Sequence, residues 1–324
     1  MNRRSKLGFT LVELLVVIAI IGVLVAMAIP AVQSSREMGR RAICQTHLGQ
    51  IMLAVQSYEN AFESLPAGVV NPDGPIRNEA VGLHQGWLIQ LLPYLDESNA
   101  YRAIDFSKSV YAPENAAVRE LSPAVFLCPS DPLEDRGKSN YAGCQNDVEA
   151  PIAADNQGVL YLNSAIRRSD IFDGAAYTIF LGEKRIPAGD LGWMSGTRAT
   201  LRNTGLPPNA VREIYRNTKS AKSGNADQAD TDAPQDATAN DNAPDDAAAE
   251  PAGDSDANTD DNADTKESNL LYVGGFGSSH IGGVFVGFGD SSVRYIIDEI
   301  DLTLWHRMGN RADGKLVDID FQVD

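Results

Sequence analysis

From residue 9 to residue 32 the chain carries only two polar side chains, Thr10 and Glu13, in an otherwise apolar run. As a helix these residues reach about 36 Å, enough to cross a hydrocarbon layer of about 30 Å. After residue 32 the pattern becomes two-sided. Leu48, Ile51, Met52, Val55, Tyr58 and Phe62 recur at steps of three and four, one face of a helix. Glu37 and Arg41, four apart, support the polar face, and Pro66 closes the region. The spacing predicts one long helix, apolar all round in its first half and amphipathic in its second.

Beyond Pro66 the periods shorten to strands and turns. Residues 87–92 form an apolar core helix ended near Pro93, with Trp87, Tyr94 and Tyr101 as packing aromatics. Pro72-Asp73-Gly74 and Asp173-Gly174 are turn signals, and AYTIFLGE at 176–183 reads as a buried strand. Near the C-terminus Val284, Val286 and Phe288 alternate with Phe285 and Gly287, a strand of period two. A turn at 289–292 leads into a second strand, 293–297. Because Ser291 stands where a tight turn favours glycine, a longer or bulged hairpin is expected. Asp301 then caps a short helix, 302–308, ended by Gly309-Asn310.

One segment matches none of these patterns. Residues 223–266 contain no Val, Ile, Leu, Met or aromatic residue and carry 13 acidic residues against one lysine. Such a composition cannot bury enough surface to offset chain entropy, so a disordered acidic insertion is expected. Its net charge of −12 makes up most of the formal net charge of −17 of the whole chain. The acidity therefore describes the insertion, and a nucleic-acid partner is not expected.

Arg3, Arg4 and Lys6 precede the apolar run, and the positive-inside rule keeps this short leader cytoplasmic. The chain is then a single-pass membrane protein whose body lies on the extracytoplasmic side. A secretory signal peptide cut at Ala26-Met27-Ala28 is the alternative, with an uncleaved anchor as another. A charge within the apolar run and a helical pattern that continues past Ala28 both argue against the signal peptide. Cys44, Cys128 and Cys144 allow at most one internal disulfide among three pairings.

Candidate chemistry is sparse. No cysteine lies in a CxxC and the four histidines are scattered, so neither a metal nor a cofactor is expected. Gly192-Trp193-Met194-Ser195-Gly196 is not a nucleophile elbow, and His280 occupies the third glycine position of a dinucleotide loop. Asp254, Asp256, Asn258 and Asp260 alternate like a calcium loop, but Thr259 and Thr265 replace its glycine and terminal glutamate. No catalytic residue is assigned. His280 is expected to bond backbone at the base of the hairpin.

Lys6-Leu7-Gly8-Phe9-Thr10-Leu11-Val12-Glu13-Leu14 resembles the processing motif of type IV prepilins and type II secretion pseudopilins. The resemblance implies a prepilin peptidase that cuts between Gly8 and Phe9 and methylates the new amino terminus. It implies a helix-bending role for Pro30, and for Glu13 a pairing with the terminal amine of a neighbouring subunit. That pairing would explain an acid at membrane depth, where it costs about 2.5–3.5 kcal/mol near a helix centre.

Further pieces resemble a large bacterial pseudopilin-like family, domain of unknown function 1559. They are the stretch from Pro30 to Gly68, LLPYLDESNAY, FLCPSDP, SNYAG, DGAAYTIFLGE and HIGGVFVGFGDSSVRYI. His280 and Asp290 match its C-terminal His-x9-Asp-Gly signature, with Ser291 in place of the glycine. The resemblance also favours Cys44–Cys128 as the disulfide, since both lie in matching stretches and Cys144 does not.

The expected fold is α+β and pilin-like, a long helix packed on a mainly antiparallel β-rich body. Its parts are a leader 1–8, a transmembrane and assembly helix 9–32, its amphipathic continuation 33–64, a body 65–222, the insertion 223–266 and a closing hairpin and helix 267–324. The expected function is a membrane-anchored extracytoplasmic subunit with a structural or interaction role, assembling with itself or other pseudopilins. The alternative is an anchored module that binds a solute or glycan, and no motif speaks for an enzyme.

Overall fold

The computed structural model describes residues 11–131, 136–187, 189–210, 267 and 269–315. Gly8, Phe9 and the acidic segment 223–266 lie outside the described residues. Helix α1 (Leu11–Phe62) runs unbroken for 52 residues with Pro30 inside it, where the missing N–H removes one helical hydrogen bond. Its two halves differ in packing. Every large apolar side chain from Leu11 to Val32 is at least 45% exposed, whereas Cys44, Leu48, Ile51, Met52, Ala54 and Val55 are buried.

The predicted apolar stripe therefore packs as far as Val55 and then fades. Tyr58 is half-buried and Phe62 is 59% exposed. Phe62 was expected on the packed face. Its ring instead lies back on Tyr58, with centroids 4.5 Å apart. The next residue, Glu63, adopts φ 57° and turns the chain away from the helix axis.

A two-residue ladder joins β1 (Val69–Val70) to β2 (Gln85–Gly86). The chain then enters α2 (Trp87–Leu91), which a 3-10 turn at Leu92–Tyr94 ends at the predicted proline. Short helices α3 (Ser98–Arg102) and α4 (Ala116–Arg119) follow. The main sheet holds β3 (Tyr141–Asn146), β4 (Ile179–Glu183), β5 (Leu201–Asn203), β6 (Gly283–Phe288) and β7 (Val293–Ile297), in the order β5-β3-β4-β6-β7. Among the described strands of this sheet only the β3–β5 pairing is parallel.

Both faces of β6 are covered, which is why all six of its residues are buried despite their period of two. Phe285 belongs to the core shared with α1, while Val284, Val286 and Phe288 pack with Trp305 and Met308 of α5 (Leu302–Gly309). Asp301 caps α5 by accepting from the Leu304 N–H at 2.9 Å. The sheet thus lies between the long helix and the terminal one.

The β6–β7 hairpin closes with three residues. Phe288 N donates to Ser292 O at 2.9 Å and Ser291 N donates to Phe288 O at 2.8 Å. Ser291 sits in the left-handed region at φ 68°. A turn followed by one left-handed residue is the usual three-residue loop with a bulge, so the hairpin is longer than a tight two-residue turn.

Candidate functional site

The first half of α1 is a rod of exposed apolar surface projecting from a packed body. Residues 11–32 hold a single charged group, Glu13, in the first turn of the described helix. The helix is long and apolar enough to cross a membrane, its most apolar 18-residue window having a mean hydropathy of 3.0 and no buried residue. Exposed apolar area on this scale is a contact surface for lipid or for other helices.

Where the rod meets the body, polar side chains hold it. Glu37 accepts from Arg40 Nε at 2.9 Å and from His280 Nδ1 at 2.7 Å, and it lies 3.2 Å from Ser130 Oγ. Arg41 is 3.9 Å from Glu37, donates to the Ile281 carbonyl at 2.7 Å, and lies over the Tyr295 ring at 5.3 Å. His47 Nδ1 contacts the Leu127 carbonyl at 3.0 Å. Glu37 and Arg41 are expected to support the polar face, and they stand there as an i,i+4 pair; Glu37 also crosses to His280. Burial pushes the Glu37 carboxyl up, but hydrogen bonds from His280 and Arg40 outweigh it and hold the group below its ordinary value.

Beneath this latch four reactive side chains converge. Cys44 on α1 and Cys128 after α4 form a disulfide, with Cα atoms 5.5 Å apart. His280 is fully buried, and its Nε2 lies 3.6 Å from Cys128 Sγ and 3.5 Å from Glu183 Oε1. Glu183, at the end of β4, accepts from Phe285 N at 3.0 Å through Oε2. Its buried Oε1 accepts no hydrogen bond among the described residues. Burial pushes the Glu183 carboxyl up, ahead of the lowering effect of the Phe285 N–H and of His280.

The expected backbone bond of His280 is thus replaced by side-chain partners. Its imidazole joins carboxylates from α1 and β4, because the chain entering β6 faces inward between them. Sequence reading missed Glu183 as a member. The available signal was an acid closing an apolar strand, where burial demands a partner.

Asp290 is elsewhere. It is exposed in the hairpin, accepts from Ser292 N and Oγ at 2.9 and 2.6 Å, and lies at the opposite end of β6 from His280. The two residues of the sequence signature therefore do separate jobs. Cys144, on β3, is a buried free thiol that burial pushes far up from its ordinary pKa. Ser195 is fully buried, with its hydroxyl 2.6 Å from Tyr111 Oη and 3.0 Å from Thr197 Oγ1. Tyr111 in turn meets His84 Nδ1 at 2.9 Å. Burial lowers His84 to about 4, so this enclosed polar chain holds a neutral imidazole at neutral pH.

A cavity of about 520 Å³ opens beside the latch, lined by Gln33, Arg36, Glu37, Arg40, Ser130, Ser279 and Ile281. A second, of about 240 Å³, is bounded by residues between Asn71 and His84, among them Asp73, Ile76, Arg77 and Val81. Neither wall carries Trp, Tyr or Phe, the residues that would stack on a sugar.

Two family models match this chain. One, described as protein of unknown function (DUF1559), covers residues 33–303. The other, the prokaryotic N-terminal methylation motif, covers residues 3–29. The type IV major pilin protein PilE1 of Neisseria gonorrhoeae is 41% identical over 86 residues, 25% of this chain and 39% of the pilin. The type II secretion system core protein G of Pseudomonas aeruginosa is 34% identical over 59 residues, 18% of this chain and 42% of that protein. The chain thus spans about two fifths of the length of these relatives. No solved structure matches.

Proposed function

This chain belongs to the DUF1559 family, and from that premise we propose that it is a pseudopilin-like, membrane-anchored subunit with a structural or interaction role. The observation that carries the reading is the exposed rod of residues 11–32, which continues as one helix into the core of the body. A soluble protein would leave this much apolar surface in water at a cost of about 25 cal/mol per Å². A membrane or a bundle of like helices removes that cost. The match of residues 3–29 to the methylation motif supports the same reading.

In this proposal a prepilin peptidase cuts between Gly8 and Phe9 and methylates Phe9. The body folds on the extracytoplasmic side, and Glu13 meets the new amine of a neighbouring copy or of another pseudopilin. Pro30 bends the rod near its exit from the membrane. The chain acts by packing and display rather than by catalysis. Mass analysis of the purified amino terminus tests this: a methylated Phe9 is expected, and a start at Met1 or Ile29 overturns the processing route.

A further inference from the structure

We propose that, when its disulfide is reduced, Cys44, Cys128, Glu183 and His280 form a buried four-ligand site for a thiolate-binding divalent metal, of which zinc fits best. One ligand atom from each of the four residues lies within 4.8 Å of every other. A tetrahedral zinc with two sulfurs, a nitrogen and an oxygen sets its ligands about 3.3–3.8 Å apart. The pair His280 Nε2–Glu183 Oε1 at 3.5 Å and the pair Cys128 Sγ–His280 Nε2 at 3.6 Å already stand at that spacing. The two sulfurs, bonded in the disulfide, have to part, and the remaining pairs lie within 4.8 Å.

Two independent features point to a cation here. Among the described residues Glu183 Oε1 is buried and accepts no hydrogen bond, with His280 Nε2 3.5 Å away, a condition that native interiors seldom leave without a reason. The second is the orientation of His280. In the neutral imidazole a proton on Nδ1, donated to Glu37 at 2.7 Å, leaves the Nε2 lone pair facing Glu183 and Cys128. A carboxylate behind the far nitrogen of a ligating histidine is the recurrent outer shell of zinc sites. Glu183 is aimed in the same way, since Phe285 N holds its other oxygen. The ligands come from α1, the segment after α4, β4 and the entry to β6, so packing fixes all four before any metal arrives.

The electrons balance through a dithiol reductant. It gives two electrons and two protons to the Cys44–Cys128 bond and leaves as its own disulfide. On zinc binding the two thiols release their protons to solvent and two Zn–S bonds form. Glu183 binds as the carboxylate and His280 through Nε2. A disulfide oxidant takes two electrons from the two thiolates and, with two protons from solvent, leaves as its own dithiol; the Cys44–Cys128 bond re-forms and the ion departs, so one pocket has a metal-closed and a disulfide-closed form, both tying α1 to the sheet.

The test uses the full chain in detergent, in a Cys144→Ala background, reduced with dithiothreitol and desalted without oxygen. Co²⁺ is the spectroscopic probe. One equivalent is expected to give a thiolate-to-cobalt charge-transfer band with the strong d–d bands of tetrahedral coordination, and the unreduced protein none. Glu183→Gln and His280→Gln are expected to weaken binding at least tenfold, and Glu37→Gln by about 10- to 100-fold through the outer shell. Zn²⁺ is expected to raise the melting temperature of the reduced chain only. Absence of the bands in reduced, folded protein overturns the proposal, as do bands unchanged in both ligand variants. A reduced chain that loses its near-ultraviolet dichroism and does not regain it with Zn²⁺ also overturns it. None of these readouts depends on cleavage at Gly8 or on assembly.

Discussion

His280 and Glu37 meet at 2.7 Å across 243 residues of sequence, joining the entry of β6 to the helix just beyond its apolar rod. A lever of exposed helix exerts torque at the point where it enters the body. There the hydrogen bonds of Glu37, the Arg41 contacts and the Cys44–Cys128 bond all act within two turns of helix. If α1 carries the body in a membrane or filament, this is where the body's orientation is set.

Glu37 makes the latch sensitive to acid. Its carboxyl titrates below the ordinary 4.5 in the folded chain, so its contribution is fully present above that pH and is lost as the pH falls through the lower, folded value. Glu37→Gln is expected to cost about 1–2 kcal/mol at pH 7, the range for a partly exposed charged hydrogen bond. The variant is also expected to show a shallower loss of stability below pH 4.5 than the wild type. Denaturant melts at several pH values check this, and parallel curves would contradict it.

The disulfide closes a loop with a sequence separation of 84. In the chain-entropy model, removing it with Cys44→Ala and Cys128→Ala is expected to lower stability by about 4–5 kcal/mol. Chemical denaturation of the double variant measures the difference.

At Gly287 on β6 the side chain of Met52 from α1 lies directly against the strand. A Cβ built there would fall 2.7 Å from Met52 Cγ. Gly287→Val is expected to cost about 1–3 kcal/mol by overpacking. Adding Met52→Ala should recover part of that loss, so the double-mutant cycle is non-additive. A fully additive cycle would place the strain elsewhere.

Ser291 occupies a left-handed position at φ 68°. Glycine removes about 1–2 kcal/mol of steric cost there and adds about 0.5–1 kcal/mol of chain entropy to the unfolded state. Ser291→Gly is therefore expected to stabilise by about 0.5–1 kcal/mol, read as a higher urea midpoint at unchanged slope.

Glu13 tests the assembly proposal. Glu13→Ala lowers the cost of the rod in lipid, so membrane insertion is expected to be undiminished. Incorporation into any filament or pseudopilin complex is expected to fall, measured by shearing and co-purification. Normal incorporation would remove the assembly role from Glu13.

Several elements were legible along the chain because their causes are local. The apolar run of residues 11–32, the strand ending at Glu183, the β6–β7 hairpin and the Asp301 cap each follow from side-chain period or backbone preference over a few residues. The tertiary structure decided what each face met. It left Phe62 exposed, gave Glu37 a partner in His280 besides Arg41, and separated His280 from Asp290 by the length of β6. It also gathered Cys44, Cys128, Glu183 and His280 from four distant stretches. Residue spacing carries no trace of that cluster, because the distance between its members is set by how α1 packs on the sheet and not by the peptide that links them.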